Sequence, residues 1–270
     1  MVNFQCKEFY DYEDLLQIMK CLRAPGGCPW DREQTHGSIR RNLLEETYET
    51  VDAIDRDDPT DLCEELGDVL MQVVFHAAIE EEAGRFVMAD VVNGVCRKLV
   101  YRHPHVFGTV DVHGSSDEVI VNWEALKRRE KGQSSTADAV EAVAHTLPGL
   151  WRAEKMQSKA AKAGFEWSDK LSALDKLEEE TAELRRAVES GDSVDAPHGV
   201  REEVGDVLFM AAKVAQTAGV DPEDALHRAC DKFARRFRLV EEGTGRPLTD
   251  YTQEELIALW KRAKEQENKS

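Results

Sequence analysis

Long apolar runs are missing from this chain. Across 270 residues nothing approaches the roughly 18 consecutive apolar positions of a membrane span, and Met1 to Asp14 is too acidic and polar for a secretory leader. The sequence therefore predicts a soluble, cytoplasmic protein with no membrane partner. C-x-x-C pairs are missing too. Cys6, Cys21, Cys28, Cys63, Cys96 and Cys230 stand singly, which argues against a cysteine zinc site and supplies no disulfide framework. Reduced thiols are the expectation. Positive charge is scarce: 35 Lys and Arg face 53 Asp and Glu, for a formal net charge of -18. A chain this acidic lacks the basic footprint that holds a nucleic-acid backbone, so no direct nucleic-acid binding is expected. A small phosphate-bearing ligand, met by a metal ion and a few placed cations, stays compatible with that charge. Neither a P-loop nor a Rossmann glycine pattern is present, so nucleotide binding by those routes has no support.

What the chain does contain is one set of acids, twice. Glu45-Glu46-Thr47-Tyr48-Glu49 is followed by Glu65-Leu66-Gly67-Asp68, and Glu179-Glu180-Thr181-Ala182-Glu183 by Glu203-Val204-Gly205-Asp206. Lys98 and Arg102 return as Lys232 and Arg236, Trp123 and Lys127 as Trp260 and Lys264, and Trp30 as Trp167, at spacings of 134 to 138 positions. Solenoid repeats recur every ~20 to 50 residues, so this spacing means a duplicated domain. The length suits two domains, each with its own core. The polar run Lys131 to Thr136 reads as a connection, which gives residues 1–131 as the first domain, 132–146 as a linker and 147–270 as the second domain.

Both halves read as helical. Leu62, Leu66, Val69, Leu70, Val73, Val74 and Ala77 recur with helical spacing, and Val200, Val204, Val207, Leu208, Ala211, Ala212 and Ala215 repeat that stripe. Asp58-Pro59 and Asp221-Pro222 mark helix starts, an N-cap acid before proline at the first helical position. Ser115 with Glu118, and Thr252 with Glu255, have capping-box spacing. Gly84 and Gly219 are expected helix stops, and Pro148 to Gly164 the opening helix of the second unit.

Periodicity then places the acids. Glu46 and Glu49, or Glu180 and Glu183, project from one face of a helix, and Glu65 with Asp68, or Glu203 with Asp206, from one face of the next. Antiparallel packing of the two helices converges four carboxylates, which repel one another unless a cation lies between them. Carboxylate oxygens suit Mg²⁺ or Mn²⁺. A solvated face is the ordinary reading of any single glutamate here, but not of the whole set in duplicate. Gly67 and Gly205, inside helical segments where glycine costs about 1 kcal/mol relative to alanine, suggest close approach of a helix or ligand, or inherited packing. A di-iron carboxylate protein would need Glu-x-x-His pairs, and here the motifs end in Asp68 and Asp206.

With the flanks Gly27-Cys28-Pro29-Trp30-Asp31, Arg102-His103-Pro104-His105-Val106-Phe107, Gly164-Phe165-Glu166-Trp167 and Lys232-Phe233-Ala234-Arg235-Arg236-Phe237, the acid motif resembles the MazG-type nucleoside triphosphate pyrophosphohydrolases of the two-domain kind. The resemblance implies an all-α fold of tandem domains, with a four-helix-bundle-type core completed by dimerisation into a homodimer. It implies Mg²⁺-dependent hydrolysis of NTPs and dNTPs to monophosphate and pyrophosphate, with Mn²⁺ as a substitute. By the same resemblance Glu180, Glu183, Glu203 and Asp206 hold the metal, and Glu46, Glu49, Glu65 and Asp68 form a second, weaker set. Glu179 orients or deprotonates the attacking water, Lys176, Lys232, Arg236 and Lys264 grip phosphate oxygens, and Trp260 stacks on base or ribose. Asn42 stands where the second half has Lys176, so the second half is expected to carry most of the activity. Nucleotide-pool housekeeping and a stress response with a protein partner both fit the family. A non-catalytic, nucleotide-sensing or partner-binding scaffold is the alternative.

Overall fold

The computed structural model describes residues 4–110, 115–130, 132, 135–167 and 169–267. Its secondary structure is helical, with no strand among the described residues. The chain divides into two units, Met1–Lys127 and Arg128–Ser270. Of the run expected to connect them, Lys131, Gln133 and Ser134 lie outside the described residues.

The first unit holds α1 (Tyr12–Arg23), α2 (Pro29–Glu33), α3 (His36–Asp55), α4 (Pro59–Glu82), α5 (Met88–Arg102), α6 (Pro104–Phe107) and most of α7 (Ser116–Glu130). A three-residue connection, Arg56–Asp58, folds α3 and α4 into a hairpin whose arms pack along one another. Asp58 caps α4 by accepting from the amides of Thr60 and Asp61 at 3.0 and 3.1 Å, satisfying donors the first turn leaves over. Gly84, with φ +68°, ends the helix as the spacing predicts. Met19, Ile39, Val74, Phe75 and Ala78 form the buried core between α1, α3 and α4. Burial of a side chain such as Met19 or Phe75 contributes roughly 1.5–3 kcal/mol. Arg23 pins α1 to its neighbours: it donates to both carboxylate oxygens of Glu82 at 2.7 and 2.8 Å, donates to the carbonyl of Asp31 at 2.5 Å, and lies over the Phe75 ring.

The second unit holds α8 (Thr136–Glu141), α9 (Gly149–Ala161), α10 (Lys170–Ser190), α11 (Val200–Ala218), α12 (Pro222–Glu242), a 3-10 turn at Leu248–Asp250, and α13 (Gln253–Glu267). The stretch 132–146, read as a linker, contains α8, capped by Ser135 and Asp138 and packed on α9, with Ala139 buried in the helix and Val143 buried just after it. With Ala139 as its one buried residue, α8 offers no stripe to read as a helix from spacing. The α10–α11 hairpin repeats α3–α4, but its connection, Gly191–Gly199, has nine residues. That loop is fastened at its far end. The Val194 carbonyl accepts from the Arg201 amide at 3.2 Å, Asp195 pairs with the Arg201 guanidinium, and a Cβ on Gly199 would meet the carbonyl oxygens of Val194 and Ala196 at 2.7 Å. Val240, Leu259 and Ala263 are buried between α12 and α13, and Trp260 packs against them.

Candidate metal and nucleotide site

The hairpins bring the acids together in both units. In the first, Glu46 and Glu49 from α3 and Glu65 from α4 each place an oxygen within 4.8 Å of the others; in the second, Glu180 from α10 and Glu203 and Asp206 from α11 do so. One member of each expected quartet stands outside its triad, and it is a different member. In the first unit it is Asp68, whose charge still acts on Glu46 and Glu65. In the second it is Glu183, which pairs with Arg186 at 3.1 Å and whose charge still acts on Glu203. Asp52 stands at the corresponding place in α3.

Burial makes these clusters costly as they are. Glu203 is 4% exposed, and its Oε2 is buried without a hydrogen-bond partner. The equivalent oxygen in the first unit, Oε2 of Glu65, is buried and unpartnered as well. Desolvation, followed by the charges of Glu183 and Asp206, raises the carboxyl of Glu203 above its usual range. Glu65 is raised by desolvation and then by Glu49, and Glu46 by desolvation and then by Asp68 and Glu49. The Gln72 amide opposes the rise at Glu46, while its own Oε1 is buried and unpartnered. An orphaned carboxylate oxygen at the same place in both copies is the arrangement a cation completes, because an unmade bond to a buried charged group is expensive. The donors are all carboxylate oxygens, a set that suits a hard divalent ion.

The other expected site residues fall into two groups. Lys176 joins the acids, its Nζ 2.9 Å from Glu179 and 2.9 Å from Glu180, which raises the lysine above its ordinary value. Glu179 itself is half-exposed at the edge of the cluster. Lys232 and Arg236 on α12, and Trp260 and Lys264 on α13, lie on a helix pair whose α12 also packs on α9 and α11 but not closely on α10. Arg236 donates to Glu267 at 2.5 Å, and Trp260 meets Phe233 at 5.1 Å between ring centres. In the first unit the matching tryptophan, Trp123, is flanked by Arg102 and Lys127 at 5.3 and 4.5 Å from its ring. Among the described residues nothing makes the close approach suggested at Gly67 and Gly205, since a Cβ at either would meet nothing within 4 Å.

Spacing alone missed three polar groups. Lys213 on α11 is fully buried, its Nζ 2.8 Å from Gln216 and 3.2 Å from Glu166 and lying over Trp167. A lysine inside the apolar stripe was the available signal. Arg23 carried no such signal. His36 stacks on His76 with 2.7 Å between their Nδ1 atoms and meets Glu80 at 2.5 Å. Arg85 binds Glu80 as well; with His36 it holds that carboxyl well down, to about 2.

These features define a class: all-α proteins with a duplicated, carboxylate-lined helix hairpin. The MazG nucleotide pyrophosphohydrolase domain matches residues 34–107 and again 168–240. The chain belongs to that family. It is 41% identical over 256 residues to the nucleoside triphosphate pyrophosphohydrolase/pyrophosphatase MazG of Thermotoga maritima, covering 94% of this chain and 95% of that one. It is 42% identical over 257 residues to the nucleoside triphosphate pyrophosphohydrolase of Escherichia coli K12, covering 94% and 97%. A Bacillus subtilis protein named YabN is 42% identical over 267 residues, 97% of this chain but 53% of its own length.

Proposed function

We propose that the protein hydrolyses nucleoside triphosphates, ribo and deoxy, to monophosphate and pyrophosphate in the cytoplasm, with Mg²⁺ as the working ion and Mn²⁺ as a substitute. The observation that carries this reading is the buried, unpartnered Oε2 of Glu203 inside a cluster of carboxylates only. In the second unit Glu180, Glu203 and Asp206, joined by Glu183, are the residues that would hold the ion; Glu46, Glu49, Glu65 and Asp68 form the weaker set. A bound divalent ion supplies charge neutralisation along the phosphate chain and acidifies water. The remaining work falls to the side chains.

Water attacks the α-phosphorus, a new P–O bond forms, and the bond to the bridging oxygen breaks as pyrophosphate leaves. Glu179, half-exposed beside the cluster, orients the water and takes its proton. Lys176 reaches the same place and stabilises negative charge on the phosphate oxygens. Lys232, Arg236 and Lys264 grip the rest of the triphosphate, and Trp260 offers a face to the base or ribose. Arg236 must exchange Glu267 for phosphate to do so.

A second copy of the chain completes the unit. Leu66 and Leu70 in α4, and Val204 and Leu208 in α11, are exposed on the turns that carry the acids, a face that a homodimer would cover. The open space over Gly67 and Gly205 suits the same approach. Housekeeping of the nucleotide pool, or a stress response with a protein partner, is the role that fits.

Incubation of the purified protein with NTPs and dNTPs and Mg²⁺, followed by product identification, tests the reading. Monophosphate with pyrophosphate is expected. Diphosphate with phosphate refutes the bond assignment, and tight binding without turnover returns the scaffold reading.

A further inference from the structure

We propose that Lys176 is a tethered counter-ion that keeps the second unit's carboxylate cluster a weak site for a free divalent cation until a polyphosphate draws the lysine away, whereas the first unit's cluster takes the cation unaided. The proposal rests on the reading of both clusters as metal sites.

Its basis is a difference between the two copies. The Lys176 ammonium lies 2.9 Å from Oε1 of Glu180, a member of the second triad, and 2.9 Å from Oε1 of Glu179. A divalent ion and that ammonium therefore compete for the same carboxylate. Glu183, the fourth acid, is held by Arg186 at 3.1 Å. Lys176 and Arg186 thus occupy two of the four acids, and the imidazole of His198 lies 3.7 Å from Oε1 of a third, Glu203. At the matching positions the first unit has Asn42 and Asp52, one neutral and one acidic. The nearest arginine on α3, Arg41, is paired with Glu45 at 2.7 Å, outside the triad. Among the described residues no ion pair reaches Glu46, Glu49 or Glu65.

The second cluster is still not satisfied by its lysine. Oε2 of Glu203, in a residue only 4% exposed, keeps no partner. A cation is therefore still called for, against the charge of a lysine that must first move. Lys176 is partly exposed, one helical turn from the acids it binds, so its long side chain can reach another anion without any backbone change. The phosphate chain of a nucleotide is such an anion. Nucleotide binding frees the carboxylate, the cation enters, and the lysine stays on phosphate. In the second unit the nucleotide therefore strengthens the binding of the cation, and in the first the cation binds at full strength alone.

Mn²⁺ binding to the full chain, followed by the electron paramagnetic resonance of the free ion without nucleotide, separates the two clusters. Glu183→Gln with Glu203→Gln leaves only the first cluster, and Glu49→Gln with Glu65→Gln leaves only the second. The first alone is expected to bind about tenfold more tightly, the scale of removing one like charge at close range near a surface. In the protein that retains the second cluster, Lys176→Met is expected to tighten Mn²⁺ about tenfold. The same variant is expected to weaken a methylene-bridged ATP analogue titrated in chelator. Arg186→Gln, which touches no phosphate, is expected to tighten Mn²⁺ about threefold, and circular dichroism checks that each variant folds. Unchanged or weakened Mn²⁺ binding in Lys176→Met overturns the proposal while leaving the metal reading intact. Failure of either cluster to bind Mn²⁺ in any variant overturns both.

Discussion

In the first unit Glu46 has Asn42 one turn before it and Gln72 beside it from α4; in the second Glu180 is held by Lys176, and Met210 replaces the glutamine. The acids were duplicated and kept, while the groups that balance their charge were exchanged. Lysine can serve a phosphate and a carboxylate in turn. A buried amide such as Gln72 can only hold a carboxylate in place. On the proposed cycle the same four acids work at different points, set by one neighbouring residue rather than by the acids themselves.

The largest effect that could break this asymmetry is on turnover. Glu180→Gln is expected to lower the rate of nucleotide hydrolysis about a hundredfold or more, while Glu46→Gln costs less than about threefold. Equal losses in a steady-state assay would make the two units equivalent catalysts.

A second comparison concerns the cation that each unit buries away from its acids. Arg23 donates to Glu82 and to the backbone carbonyls of Asp31 and Gln34, so Arg23→Met strands several acceptors and should cost about 2–4 kcal/mol. Glu82 and Glu166 are both half-exposed and can rehydrate, but Lys213 is bound by side chains, Gln216 and Glu166, where Arg23 also holds two backbone carbonyls. Lys213→Met should accordingly cost less than about 1 kcal/mol. Urea unfolding of the two variants measures the difference, and reversal of their order would show that Lys213, not Arg23, is the structural anchor.

The smallest effect is on pH dependence. A carboxyl raised by burial destabilises the folded chain while ionised, and that cost disappears as pH falls through its raised value toward the unfolded value of 4.5. Glu203→Gln should therefore raise the melting temperature of chelator-treated protein at pH 8, with the gain shrinking toward pH 4.5. Glu80 has the opposite sign. Its stabilisation is present above pH 4.5 and lost as pH falls toward about 2, so Glu80→Gln should destabilise at pH 8 and converge with the parent in strong acid. A gain from Glu203→Gln that grows on acidification would contradict the assigned direction.

Much of this was legible in the residues because local chemistry carried it. Asp58 and Asp221 cap their helices by accepting amide hydrogens, and Gly84 and Gly219 end helices in the left-handed region. In each hairpin one pair of carboxylates three apart, Glu46 with Glu49 or Glu203 with Asp206, meets a glutamate of the other arm, as helix periodicity leads one to expect. The rest depended on partners far away in sequence. Arg186 pairs with Glu183 beside the cluster, and nothing in the motif distinguishes that contact from an ordinary surface pair. Arg23 is buried by residues up to 59 positions away. Trp260 and Arg236 are engaged within the α12–α13 pair, a preference that no spacing rule expresses. Gly67 and Gly205 face open space among the described residues, so the motif's glycines mark no contact that spacing could have named.

The Gly191–Gly199 connection triples the length of its counterpart, yet both hairpins deliver their acids to within the same few ångströms. Chain length at that bend is thus uncoupled from the chemistry further along the arms. A peptide tag or a fluorophore inserted on its Gly191 side, away from the stretch fastened near Gly199, could label the second unit without disturbing its acids.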